Sequence, residues 1–188
     1  MKSLALRSTC VNQTLTVPLA ARPITGRLDF DALYRSSRDD IYAYVATMLR
    51  DRTAAEDVTA LAFERAMRKQ RSYRPGRGTE RAWLFGIARN AALDELRRRT
   101  RTAALLSEPE DVSSRAPEED DDRRLDRATV RAALDGLAPR ERELIALKFH
   151  AGLSNTELAR VLGVSESNAG TLLHRAMQQL RKACHATA

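Results

Sequence analysis

Glycine and proline are scarce in this chain of 188 residues, at eight and six, which argues against a turn-rich all-β fold. Cysteine is scarcer still. Cys10 and Cys184 stand at opposite ends with no CxxC pair, and His150, His174 and His185 are not spaced with them to complete a zinc site. Both thiols are expected to be free in a reducing, cytoplasmic compartment. No apolar run approaches the length of a membrane span, so no membrane insertion is expected. Neither a Ser/His/Asp set, nor paired carboxylates, nor a phosphate-cradling loop stands out, and the chain is read as a non-enzyme without metal or cofactor. Near the N-terminus, Lys2, Arg7 and the apolar stretch 17–21 faintly suggest a signal peptide, but the run is short and Asn12, Gln13 and Thr14 interrupt it. A disordered tail over residues 1–26 is expected instead.

What the chain has in plenty is alanine, leucine, arginine and glutamate, all good helix formers. Its net charge is +7 with an isoelectric point near 10.0, which suits a polyanionic partner, nucleic acid first and an anionic membrane surface second. The charge is unevenly spread. Between Ser107 and Asp122 eight acids face the single base Arg115, with Pro109 and Pro117 among them. Such a stretch cannot bury a core and reads as a solvated linker over 104–123. The fold class expected is therefore all-α: two small helical domains, over 27–103 and 124–185, joined by an acidic flexible linker.

The second domain carries the clearest local signals. Ser154 and Glu157 have the spacing of a capping box, in which each satisfies a free backbone donor at a helix start. Leu158, Ala159 and Leu162 follow as an apolar stripe, and Gly163 stands where a tight turn needs positive φ. Ser165 then opens a longer helix with Ala169, Leu172, Leu173, Ala176 and Leu180 on one face. Two helices hinged at a glycine match the helix-turn-helix, whose second helix enters the DNA major groove. Upstream, an amphipathic helix passes through Leu125, Val130, Ala133, Leu134 and Leu137. Pro139 starts the next, with Leu144, Ile145, Leu147 and Phe149 as its core face.

In the first domain, Leu33, Tyr34, Ile41, Val45, Met48 and Leu49 mark one helical stripe. Thr53 and Glu56 suggest a capping box for a helix that buries Val58, Leu61, Ala62 and Ala66. A polar loop over 70–78 places Arg71, Arg74 and Arg77 around Tyr73, and could hold a base drawn out of the stack. A long helix from about Thr79 to Arg99 presents Arg89, Asn90, Asp94, Arg97 and Arg98 on one surface, while Trp83, Leu84, Ile87, Ala88 and Ala91 pack inward. Arginine neutralises phosphates and asparagine can pair with a base edge. The run Arg97–Arg99 is read as the helix's C-terminal end, matched to the dipole.

Three segments, Ala55–Arg68, Ala82–Arg99 and Leu137–Arg181, taken in this order across an acidic linker, resemble the two-domain extracytoplasmic-function class of bacterial RNA polymerase sigma factors. The resemblance covers roughly 28–183. It implies a dissociable subunit of core RNA polymerase that directs promoter recognition, −10 melting and transcription initiation. It also implies contacts with the polymerase clamp and β flap, with promoter DNA, and with an anti-sigma factor in some members. By position, the resemblance implies that Asn90 faces a flipped base and that Arg97 and Arg98 lie near the promoter backbone, and Arg74, Arg77, Arg89 and Asp94, read from the loop and helix, join them as −10 DNA candidates. For −35 DNA it implies Ser165, Ser167, Asn168, Thr171, His174 and Arg175. For clamp docking it implies Asp57, Ala60, Phe63 and Glu64. The chain departs from the family at Ala60 and Leu61, where a polar pair is usual, and at Gly170 and Leu172, where relatives often carry bases. Segment Leu137–Ser165 also resembles the DNA-binding domain of LuxR-type regulators, so a stand-alone regulator and a sigma-like decoy for an anti-sigma factor are the alternatives.

Overall fold

The computed structural model describes residues 28–106 and 129–187, and among these every regular element is helical. The N-terminal tail with Cys10, the acidic stretch over 107–128 and Leu125 lie outside the described residues. Helix α1 spans Phe30–Leu49, α2 Arg52–Lys69 and α3 Glu80–Leu106. The fourth helix, α4, is described over 129–135, followed by α5 Pro139–Phe149, α6 Asn155–Leu162 and α7 Glu166–Thr187.

Each start has a chemical cause. The Asp29 carboxylate accepts from the Ala32 amide at 3.0 Å and opens α1. Arg50 ends α1 in the left-handed region at φ 56°, its amide donating to Ala46 O. Asp51 then caps α2, accepting from the Ala54 amide at 3.1 Å. The Thr53–Glu56 pair expected in that role stands two residues too late: Asp51 already caps the helix, and Glu56 pairs instead with Arg52. Thr79 caps α3 through Ala82 N at 3.2 Å. Pro139 occupies the first turn of α5, where no donor is lost. Ser154 and Glu157 form the expected capping box, and Gly163 closes α6 at φ 70°. Ser165 accepts from the Asn168 amide at 3.3 Å to open α7.

Helices α1, α2 and α3 pack around Ile41, Tyr44, Val45, Ala62, Leu84, Phe85 and Ala88, all buried. The second half does not stand apart. Helix α5 lies against α1 and α6 against α3, and one continuous apolar cluster runs from Ile41 and Tyr44 through Leu147, Leu153 and Leu158 to Ala169. A smaller cluster seats α7 on α5 through Leu137, Leu144, Ile145 and Ala176, with Leu172 and Leu173 against it. Leu172 thus packs, as its place in the stripe predicts.

Further expectations fail. Phe149 is 62% exposed and Val130 43% exposed. Enclosed between α1, α6 and α7, α5 instead buries a run from Arg142 to Leu147, charged residues included. The guanidinium of Arg142 donates to the carbonyls of Leu134, Asp135 and Leu137, stapling the end of α4. Finally, α3 runs on to Leu106, past the expected domain limit at 103. Arg97–Arg99 therefore sit mid-helix, where the dipole offers them nothing. Arg99 serves a different end, bridging Asp51 at 2.7 Å and Glu95 at 2.9 Å to tie the start of α2 to α3.

Candidate nucleic-acid interface

The exposed surface of α3 carries Asn90, Asp94, Arg97 and Arg98 at steps of four, three and one residues, so they share a flank of the helix. Asn90 makes no hydrogen bond among the described residues, which leaves its whole amide available. Asp94 is not a free acid: it holds Arg65 of α2 at 3.0 Å and Arg97 at 3.5 Å. This bracing role accounts for an acid on an otherwise basic flank. Arg98 is clasped by Glu95 through two bonds of 2.7 and 2.8 Å. Hydrogen bonds from Arg98, opposed by burial and joined by Arg99, hold the Glu95 carboxyl down to about 2. The two arginines are thereby oriented, while 69% of Arg97 and 63% of Arg98 stay open to solvent.

The loop between α2 and α3 is two 3₁₀ turns, Gln70–Ser72 and Pro75–Arg77. Tyr73 anchors it: its hydroxyl donates to Gly78 O at 3.2 Å, and its ring lies 5.7 Å from that of Trp83. That contact turns Trp83 toward the core rather than toward a base. Arg74 folds back onto the carbonyls of Arg71 and Tyr73, at 2.8 and 3.1 Å. The Arg77 side chain is exposed, but its carbonyl accepts from Arg160 of α6 at 3.0 Å.

Arg89 is placed differently from the other −10 candidates. Its guanidinium meets Glu143 of α5 at 2.6 Å, and only 21% and 7% of the two side chains are exposed. Further polar contacts line this seam between the halves, among them the ion pair of Arg50 with Asp135 at 3.0 Å. Thr79 donates to Glu157 while accepting from the α3 backbone, so two helix caps from the two halves are joined. Burial pushes the Glu157 carboxyl up, but the bonds from Thr79 and Ser154 outweigh it and hold it low. Thr47 faces the His150 ring at 3.3 Å. Arg81 is the hub. It donates to Asp40 at 2.6 Å, to the carbonyls of His150 and Ala151 at 2.7 and 2.6 Å, and covers the Phe85 ring at 5.2 Å. His150 is the C-cap of α5 and Ala151 the residue after it, so a side chain of the first half closes the end of a helix of the second. The Tyr44 hydroxyl, under the influence of Glu143 and Arg89, is buried without a hydrogen-bond partner.

Burial at this seam lowers the His150 pKa below its ordinary 6.5, against an opposing pull from Asp40. A depressed value means that the packed protein binds fewer protons than the unfolded one. The packing is then fully supported above about pH 6.5 and weakens as pH falls through and below it. Melting temperature should drop between pH 7.5 and 5.5 in the native chain. His150→Gln should show a shallower slope over the same window, and equal slopes would refute the assignment.

On α7, Ser165, Ser167, Asn168, Thr171, His174 and Arg175 are all exposed, because Ala169 and Ala176 turn the opposite face inward. Ser165 spends its oxygen on the cap, and His174 meets the Gln178 amide at 2.9 Å. Thr171 donates to Ser167 O at 3.1 Å. Asn168 and Arg175 have no such engagement among the described residues.

Of the four docking candidates on α2, Asp57, Ala60 and Glu64 are exposed, with Glu64 paired to Arg68 at 2.6 Å. Phe63 is not: at 7% exposure it lies under Tyr34, with ring centroids 4.8 Å apart, and beside Phe30. It shapes the ridge from beneath. Met67, 59% exposed, continues the ridge one turn on from Glu64. Sequence reasoning passed over Met67, although the spacing 60, 64, 67 would have placed it there.

Residues 33–102 match the Sigma-70 region 2 family and residues 127–180 the Sigma-70 region 4 family. The ECF RNA polymerase sigma factor BldN of Streptomyces coelicolor is 33% identical over 168 residues, covering 87% of this chain and 64% of BldN. The chain thus spans slightly less than two thirds of that relative's length. The ECF RNA polymerase sigma factor SigX of Bacillus subtilis is 31% identical over 160 residues, covering 81% of this chain and 82% of SigX. Among solved structures, the sigma factor RpoE in complex with the anti-sigma factor NepR from Bartonella quintana aligns with a TM-score of 0.73 and 25% identity, covering 82% of this chain and 96% of that one.

Proposed function

Because this chain belongs to the extracytoplasmic-function class of RNA polymerase sigma factors, we propose that it is a dissociable subunit that brings core polymerase to promoters and opens them. The observation that carries the reading is the pairing, in one chain, of two separate nucleic-acid surfaces. One is the α3 flank with an unengaged Asn90 among oriented arginines. The other is a recognition helix with Asn168, Thr171, His174 and Arg175 exposed. A regulator that only grips duplex DNA needs the second and has no use for the first. In this reading Asn90 takes the edge of an unstacked base, Arg97 and Arg98 lie along phosphates, and α7 reads the −35 major groove. Asp57, Ala60, Glu64 and Met67 form the ridge that meets the polymerase clamp, with Phe63 as its support. The working compartment is the bacterial cytoplasm, where the polymerase is.

The test is transcription from selected promoter DNA with purified core polymerase. The chain with core should initiate, and the chain alone should bind promoter duplex poorly. Tight, dimeric, sequence-specific binding without polymerase would favour the stand-alone regulator, and failure to join core would exclude the sigma reading. A finer expectation concerns Arg97. Replacing it with alanine should weaken holoenzyme binding to every promoter and reduce the slope of log K against log salt by about 0.9, the contribution of one phosphate. An unchanged slope would remove Arg97 from the DNA backbone.

A further inference from the structure

We propose that Glu95 is a positioning residue for promoter binding, holding the Arg98 guanidinium by one edge so that the opposite edge meets a DNA phosphate in a fixed orientation. The inference rests on the sigma reading above and names a residue that this reading leaves out. Glu95 takes Arg98 side-on, with Nε donating at 2.7 Å and Nη2 at 2.8 Å. A guanidinium carries five N–H donors in one plane, and this clasp uses two of them. Both donors of Nη1 and one of Nη2 stay on the edge away from the carboxylate. That edge is the fork a phosphate accepts through two oxygens. Glu95 is only 13% exposed, whereas 63% of Arg98 is open to solvent. The acid therefore stands behind the arginine and does not bar its way.

The clasp is moored at its far end. Glu95 also accepts from Arg99 at 2.9 Å, and Arg99 donates onward to Asp51 at 2.7 Å and to Leu49 O at 3.4 Å. Asp51 caps α2, so two ionic links tie Arg98 to the start of the helix that carries the docking ridge. Hydrogen bonds from Arg98, opposed by burial and joined by Arg99, hold the Glu95 carboxyl down to about 2. It stays ionised at every pH where a polymerase works. Two acids and two arginines leave this network without net charge. What it offers DNA is therefore orientation more than attraction, since a long side chain already held in one rotamer loses less freedom on binding. The neighbouring acid does less. Asp94 is 53% exposed and divides between Arg65 at 3.0 Å and Arg97 at 3.5 Å, the second too long for a firm bond.

A double-mutant cycle on the holoenzyme decides between the two roles, because charge and orientation predict opposite signs. Glu95→Gln removes a negative charge close to DNA, but its amide nitrogen cannot accept, so the two-bond clasp is broken. Binding of the holoenzyme to a selected promoter fragment should weaken about five- to tenfold. In an Arg98→Ala background the same change should alter binding by less than about twofold, because no guanidinium remains to be oriented. Tighter binding on Glu95→Gln overturns the proposal, since the acid then acts on DNA as a charge alone. Equal loss in both backgrounds overturns it as well, and assigns Glu95 to the Arg99 strap and the fold. Arg98→Lys is an independent arm on an exposed side chain: the charge is kept and the fork is lost. It should again bind about fivefold more weakly, and a lysine chain that binds like the native one refutes the need for orientation. A native chain that forms no promoter complex with core polymerase sinks the sigma reading and this proposal with it. A cycle that fails while the native chain binds and initiates removes this proposal alone.

Discussion

Truncating Phe85 to alanine should destabilise the whole described fold by about 3–5 kcal/mol, as expected for a large buried aromatic. The ring is fully buried, meets Tyr44 edge to face at 5.6 Å, and lies beneath the Arg81 guanidinium at 5.2 Å. Its removal opens a cavity between α1 and α3 and takes away the surface on which the hub arginine rests. Because the apolar cluster is continuous between the halves, the loss should appear in one cooperative transition, with the melting temperature lowered by roughly 10 °C for a body of this size. Thermal and urea unfolding followed by circular dichroism would measure it. A change below about 3 °C, or two separate transitions of which only one moves, would mean that the halves do not share a core in solution.

Asn90→Ala should do the reverse: leave stability untouched and impair opening of the promoter. The side chain is exposed and makes no hydrogen bond among the described residues, so the fold loses nothing. If its amide pairs with a base drawn from the duplex, truncation forfeits about 1–3 kcal/mol of discrimination, a roughly fivefold to 150-fold loss. The partner is exposed only after strands separate, so the loss belongs to open-complex formation and not to recruitment. Permanganate footprinting and binding measured on the same holoenzyme separate the two steps. Equal losses at both would assign Asn90 to duplex contact, and no loss would take it out of the interface.

The contrast between Arg89 and Asn90 shows what the chain reveals before its structure. Signals set by near neighbours are legible. Ser154 with Glu157, Gly163, Ser165 and Pro139 each act within one helical turn, and each does what its spacing predicts. Period alone also separates Leu172, which packs, from Thr171, which does not. What spacing cannot convey is which helix covers which face. Phe149 satisfies the period of α5 yet stays exposed, and Phe63 fits the docking helix yet is roofed by Tyr34. Arg89 and Asn90 are adjacent in sequence and point to different fates because Glu143, 54 positions away, faces only one of them. Asp51 is the cap in place of Thr53 for a smaller reason: two candidate caps stand within one turn, and the helix starts at the earlier one, where Asp51 accepts from Ala54.

Arg81 has a consequence for synthesis on the ribosome. When α3 leaves the exit tunnel, its guanidinium can reach Asp40, Ser36 and Ser37, all already made. The carbonyls of His150 and Ala151 follow roughly 70 residues later, an interval of about 4–14 s at ordinary elongation rates. For those seconds the nascent first domain carries an unfinished arginine and an uncovered apolar wall along α1. It is a folding unit with an open edge until the rest of the chain arrives to close it.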